Sequence, residues 1–291
     1  LLARDVEHGV FDQLFLRGVA DELTIAGFNI ENFANGETQR RKAALAIRHV
    51  MRSPDVIGHV EIRDLASLEA LAAQVNSDAA LAGEFPGYEA RLIPAPQGGT
   101  QHVGFLVKTS RVQIVSATQE LADQTFEDPV NHDIENLHDR PPLVLRANAL
   151  LPGRAPRPFI VVVNHLRSFI DIELVGGEGI RVRAKRTAQA EATAALLQSL
   201  QVDNPGVPVV SIGDYNAYQF NDGFTDPISI LKGTPTADEE IVVDGSPDLV
   251  EPNFVNLTET LPESERYSFV FEGTPQALDH MLLNTSASAL V

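Results

Sequence analysis

No cysteine occurs among the 291 residues, so disulfides and thiolate metal sites are excluded, although that absence does not decide the compartment. No apolar run reaches the roughly 18 residues that a membrane span requires. The opening residues, L-L-A-R-D-V-E-H-G, carry neither the basic nor the apolar region of a signal peptide, and the missing initiator Met fits a processed or excised segment. Internal repeats, low-complexity tracts and long linkers are also lacking, which predicts one domain over 23–291 behind a leader segment, 1–22. Basic residues are scarce: 22 stand against 40 acidic ones, for a formal charge of −18 and a pI near 4.7. A field of that sign repels polyanions and disfavours a simple basic DNA-binding surface.

What is present is a 44% hydrophobic chain with 20 Gly and 18 Pro, enough to bury one large core or two modest ones. Apolar runs at Leu23–Ile30, Asp55–Ile62, Tyr88–Pro94, Val103–Val107, Arg111–Val115, Leu143–Asn148, Phe159–Val163 and Val207–Val210 predict strands. A final strand pair is predicted at Tyr267–Phe271 and Leu278–Leu283. Helical patterning covers Glu37–Arg52, Leu65–Val75 and Lys185–Gln201. The alternation of strand and helix in the first third argues for an α/β arrangement. Glu120–Asp139 holds seven acidic residues and no basic one and reads as a surface loop; Thr225–Pro252 reads as an irregular acidic insertion; Gln97–His102 reads as a flexible connection. Charge is uneven, since Arg140–Arg186 carries nine basic and three acidic residues. That stretch offers either a patch for an anionic substrate or scattered solvated charges.

Polar residues gather where apolar runs end. Ser211–Tyr218, S-I-G-D-Y-N-A-Y, presents Asp214 and Asn216 two positions apart, on one side of an extended backbone. A carboxylate and an amide at that spacing suit a hard cation and a phosphate oxygen, or else an Asx turn at a strand end. Asn29 and Glu31 share a face by the same spacing, Glu61 closes another run, and Asn164-His165 and Asp279-His280 complete five clusters. Each alone is as well explained by a helix-start charge or a structural hydrogen bond. Together they interrupt apolar runs where packing favours aliphatic residues.

The segments F-N-I-E-N-F (Phe28–Phe33), D-V-I-G-H-V-E-I (Asp55–Ile62), N-H-L-R-S (Asn164–Ser168), G-D-Y-N-A (Gly213–Ala217) and L-D-H-M-L (Leu278–Leu282) resemble, in order, those of the endonuclease/exonuclease/phosphatase superfamily. The resemblance spans nearly the whole chain and is strongest toward secreted bacterial nuclease-like members, which points to a secreted or periplasmic location. It implies a deoxyribonuclease I-like α/β four-layer sandwich, two packed mixed β-sheets with helices outside and the active site at one rim. By resemblance Glu61 is the principal metal-binding glutamate, with Glu31 and Asp279 also on the metal side and Asn29 beside them or on the substrate. Asp214 orients or deprotonates the attacking water, and Asn216 holds it together with a phosphate oxygen. Asp279 orients His280, which contacts the scissile phosphate. His165 is the second histidine of the deoxyribonuclease-like branches, and Arg140 and Asn164 face the substrate. His59-Val60 replaces the usual Leu-Gln before the glutamate, leaving its supporting amide unaccounted for. A further catalytic aspartate is expected between Asn216 and Asp279, with Asp226, Asp238, Asp244 and Asp248 as candidates.

Chemistry alone is consistent with these roles, because phosphate-ester hydrolysis needs a cation, a polarised water and donors aimed at developing charge. The carboxylates suit Mg²⁺ or Mn²⁺; zinc is disfavoured without a thiol or an H-E-x-x-H pattern. The expectation is a divalent-metal-dependent phosphodiesterase of nuclease type acting by in-line attack of water, with a phosphoester substrate that includes nucleic acid. The alternatives are a phosphatase or phosphodiesterase for a small molecule or lipid head group, and a catalytically idle binding module.

Overall fold

Apolar runs bounded by glycine, proline and acidic residues become strands, and the longer amphipathic stretches become helices. The computed structural model describes residues 22–243 and 245–291, so the expected leader lies, apart from Glu22, outside the described residues. The chain runs β1 (Ile25–Phe33), α1 (Glu37–Leu45), β2 (Val56–Ile62), α2 (Leu65–Ala80), β3 (Tyr88–Leu92), β4 (His102–Lys108) and β5 (Val112–Gln119). It continues through β6 (Thr125–Glu127), β7 (Ile134–Asn136), β8 (Leu143–Ala149), β9 (Arg157–His165), α3 (Gly177–Asp203), β10 (Val209–Asp214) and α4 (Pro227–Lys232). The last elements are β11 (Val255–Asn256), β12 (Phe269–Phe271), β13 (Thr274–Gln276), β14 (Asp279–Leu283) and α5 (Thr285–Ser288). Two mixed sheets, of four and six strands, carry the fold and are flanked by helices. No described helix is long and apolar enough to cross a membrane.

The described residues form two compact units, one drawn from 22–119 and 143–163, the other from 120–142 and 164–291. No linker marks this division, because each unit takes two separate stretches of chain. In the first, the four-stranded sheet has the order β1-β2-β4-β3, with β1 and β2 parallel and the other pairs antiparallel. The parallel pair is joined through α1, as a parallel connection requires. Asp64 caps α2 by accepting from the Ser67 N–H at 2.7 Å, and Leu68, Leu71 and Val75 of that helix join Phe28, Ile57 and Leu106 in one buried cluster. Three antiparallel strands, β5, β8 and β9, complete the unit, and β4 packs against β5 and β8.

In the second unit β14 lies between β10 and β11, antiparallel to both. Helix α3 buries Val182, Ala190, Ala194 and Leu197 and packs against β10 and α4. The acidic stretch read as a loop contains the β6–β7 ribbon, and three of its carboxylates, Asp128, Glu135 and Asp139, meet cations of α3. Arg181 pairs with Glu135 at 2.6 Å and Asp128 at 3.1 Å, and Lys185 with Asp139 at 3.1 Å. Part of the basic stretch is therefore neutralised by the acidic one. Helix α3 also begins at Gly177, upstream of the expected Lys185, and the supposedly irregular insertion contains α4, capped by Asp226 and closed by Gly233 at φ 81°. The final strand pairing is corrected too: β12 pairs with β13, and β14 takes β10 and β11 instead.

Candidate active site

Glu61 sits in the first unit at a bulge. Register slips between Asn29 and Phe33 on β1 and between His59 and Ile62 on β2 and β4, and Glu31, Asn32 and Glu61 have φ of 39°, 50° and 62°. Non-glycine residues there are strained by about 1–3 kcal/mol each and persist where surrounding bonds over-determine them. Those bonds are visible. The Asn32 N–H donates to Glu61 Oε2 at 2.8 Å, and Asn29 Nδ2 donates to Oε1 at 3.3 Å. Gln101 Nε2 donates to Oε2 at 3.3 Å and to Asn32 Oδ1 at 2.8 Å. Gln101, in the stretch read as flexible and immediately before β4, thus supplies a supporting amide from outside β1 and β2. Sequence proximity could not reveal it.

The bulge also corrects the shared face expected of Asn29 and Glu31. Asn29 is half-buried and turned to Glu61, while Glu31 is exposed and meets the cluster through its N–H, which donates to Asn29 Oδ1 at 2.9 Å. Asn29 is thus occupied in aiming the glutamate. His59, two residues earlier, is fully buried beside Phe28, and burial pushes its imidazole down to about 3, so it is neutral.

The second unit carries the remaining candidates. Gly213, at φ 131°, allows β10 to approach the chain at Asn164 so closely that any Cβ would meet the Asn164 carbonyl. Asp214 follows and accepts the Asn216 N–H through Oδ1 at 2.8 Å, an Asx turn that sets Asn216 at φ 48°. Its other oxygen, Oδ2, lies 3.9 Å from His165 Nε2. His165 is buried, and burial reinforced by the nearby Arg140 charge holds it well below the usual histidine range. The ring is neutral. Arg140 donates to the Leu166 carbonyl at 3.3 Å, and the Asn216 amide donates to the same carbonyl at 3.1 Å. Asn164, His165, Asp214, Asn216 and Arg140 therefore form one cluster.

Asn164 departs from the substrate-facing role expected of it. It is fully buried, and its Nδ2 donates to Ser211 Oγ at 2.8 Å and Tyr215 Oη at 3.3 Å. The Asp279–His280 relationship is corrected as well. Asp279 pairs in register with Asp214 across the antiparallel strands, so the two buried carboxylates share a face. Adjacent residues of a strand point oppositely, and His280 is bound elsewhere: Nε2 donates to the Ala217 carbonyl at 2.8 Å and Nδ1 accepts from Asn256 Nδ2 at 3.2 Å. Burial pushes His280 down to about 4, consistent with that neutral tautomer.

Of the aspartates proposed between Asn216 and Asp279, the three that are described serve a helix cap or turns. Asp226 accepts from Ser229 N–H and Thr236 Oγ1, Asp238 from Gly245 N–H, and Asp248 from Val250 N–H; Asp244 lies outside the described residues. The group that composition concealed is Arg186, almost wholly buried. It donates to the carbonyls of Arg167 and Asn216, both at 2.8 Å, and pairs with Asp222 at 3.3 Å. A cation counted into a surface patch is instead a clamp behind the Asp214 loop.

No protein-family model matches the sequence, and no curated protein matches it. Solved structures do match. An endonuclease/exonuclease/phosphatase family protein from Bacteroides thetaiotaomicron is similar at a TM-score of 0.53 and 14% identity, over 90% of this chain and 83% of that one. The human Nocturnin catalytic domain, with a bound sulfate anion, is similar at 0.52 and 14%, over 90% and 82%. D. rerio TDP2 complexed with single-strand DNA product is similar at 0.50 and 16%, over 90% and 83%. The chain has the deoxyribonuclease I-like fold of the endonuclease/exonuclease/phosphatase superfamily.

Proposed function

We propose that this chain is a divalent-metal-dependent phosphodiesterase of nuclease type. The observation that carries the reading is the pair of buried carboxylates, Asp214 and Asp279, in register on neighbouring strands beside a neutral histidine. Two like charges so placed favour additional positive charge beside them, which a bound cation would supply. The Asp279 carboxylate and, by resemblance, that of Glu61 are oxygen donors of the kind that suits Mg²⁺ or Mn²⁺. When bound, such an ion neutralises charge on the phosphate oxygens and polarises a water.

The chain's own groups would do the rest. Asp214, with Oδ1 fixed by the Asn216 N–H, takes the proton of the attacking water through Oδ2. Neutral His165 has no positive charge of its own with which to oppose a cation, and Arg140 supplies a fixed donor for a phosphate oxygen. Asn29, Asn32 and Gln101 keep Glu61 from turning away. The fold and the single-strand DNA product held by D. rerio TDP2 support a nucleic-acid substrate, and the sulfate bound to Nocturnin supports an anion site in such a fold. The formal charge of −18 favours the second reading, a small-molecule or lipid-head-group phosphoester.

The test is a phosphoester screen of the purified chain with Mn²⁺, Mg²⁺ or chelator, using oligonucleotides, nucleotides and phospholipid head-group esters. Metal-dependent oligonucleotide cleavage is expected, lowered in Glu61→Gln by at least on the order of a hundredfold. Cleavage of head-group esters alone selects the second reading. If no ester is cleaved and calorimetry detects no metal uptake at millimolar concentrations, the chain is a binding module and the proposal fails.

A further inference from the structure

The proposed chemistry leaves unused a row of aromatic rings beside the Asp214 loop. Tyr218 and Phe220 stack, with centroids 5.3 Å apart and planes inclined by 21°, and Phe169 lies 5.7 Å from Tyr218 at 36°. Phe169 and Tyr218 are half-buried, whereas Phe220 is 57% exposed. The rings stand on fixed ground. Arg186 bonds the carbonyls of Arg167 and Asn216, each two positions before a ring of the row, and its guanidinium carbon lies 5.8 Å from the Phe169 ring centre. A purely structural ring would gain from being covered, about 25 cal/mol for each Å² of apolar surface withdrawn from water. Phe220 is held open at the end of a stack that leads from Asn216.

Charge narrows what could cover it. The chain is strongly acidic, and Arg181, Lys185 and Arg186 on α3 are spent on Asp128, Glu135, Asp139 and Asp222. Attraction to phosphates along a polyanion is therefore a weak source of affinity here beyond the donor that Arg140 offers at the scissile phosphate, and the rest of a nucleic acid must be held by uncharged contacts. Base–aromatic stacking is such a contact, worth roughly 1–3 kcal/mol per base whatever the sequence. It requires a free base face, which duplexes cover by their own stacking.

We propose that Phe169, Tyr218 and Phe220 form a stacking platform for an unpaired nucleobase, and that the substrate is single-stranded nucleic acid whose scissile phosphate lies at Asp214. The proposal rests on the phosphodiesterase reading and specifies its substrate.

The experiment measures Mn²⁺-dependent cleavage of a labelled oligothymidylate, of its duplex with oligodeoxyadenylate, and of single strands carrying one abasic residue at successive positions. The duplex, and one abasic position near the cut, should each raise KM on the order of tenfold. Phe220→Ala should raise KM on the intact strand by a similar factor and show no further rise at that abasic position, as expected of two partners in one contact. Tyr218→Leu serves as the second variant. Phe271→Ala, on the separate β12–β13 ribbon, should keep the full abasic penalty. Unchanged KM in Phe220→Ala, or penalties that simply add, would overturn the platform while leaving strand cleavage intact. Absence of oligonucleotide cleavage by the unaltered chain, with other phosphoesters still cleaved, would overturn the nuclease reading and the platform with it.

Discussion

His280 illustrates how much one side chain's direction decides. Beside an aspartate in L-D-H-M-L it reads as a phosphate-contacting histidine, yet both ring nitrogens are taken by Asn256 and the Ala217 carbonyl. Its work is to fix the backbone immediately after Asn216. His280→Ala should therefore cost about 2–4 kcal/mol of stability, from the lost packing and the partners left unsatisfied. Urea unfolding followed by circular dichroism measures this. Unchanged stability with a collapsed rate would instead place the ring on the substrate. At the same scale, Asn164 changes from substrate contact to buried strut, and Gln101 emerges as a support for Glu61.

At the scale of elements, the strand ends carry the chemistry because a bulge or a glycine lets the chain depart from alternation there. Gly213 is the sharpest case: its φ of 131° and the adjacent Asn164 carbonyl leave no room for a side chain. Gly213→Ala should lower stability by about 3 kcal/mol or more, combining backbone strain with overpacking. It should also displace Asp214 from Asp279. A melting temperature within a degree of the parent's would show that β10 tolerates the change and that the close approach is not required. The same scale accounts for the segment readings. Strands such as β2 and β8 were legible near their true bounds and α2 from its first residue, though it runs on past the expected Val75 to Ala80, whereas the β6–β7 ribbon and α4 were hidden in acidic stretches because short elements carry too few periods to recognise.

For the molecule as a whole, buried neutral histidines set the acid limit. Burial pushes His59 down to about 3 and His138 and His280 down to about 4, against about 6.5 for an exposed imidazole. Below that value the unfolded chain takes up protons that the folded one refuses, so stability is full above about pH 6.5 and declines as pH falls towards 4. Each histidine contributes a slope of about 1.4 kcal/mol per pH unit in that window. Denaturant titrations at pH 7.5, 6 and 5 should show the decline, and His138→Gln should flatten it. A flat stability profile from pH 7.5 to 5 would mean that these rings ionise freely in the folded state.

By itself the sequence determined the α/β class, the absence of disulfides, the lack of an apolar run long enough for a membrane span in these 291 residues and the five polar clusters, since these follow from residue type and spacing along one stretch of chain; the deoxyribonuclease I-like resemblance came from matching five segments in order. Only the tertiary structure decided which way each polar group faces. It took Asn164 and His280 into buried networks, set Asp279 against Asp214, gave Glu61 its supporting amide from Gln101, and neutralised part of a basic stretch by folding an acidic ribbon against α3. The physical reason is that hydrogen bonds and ion pairs are made by distance in space, and partners such as Gln101 and Glu61, or Asn256 and His280, have no spacing that the chain alone could announce.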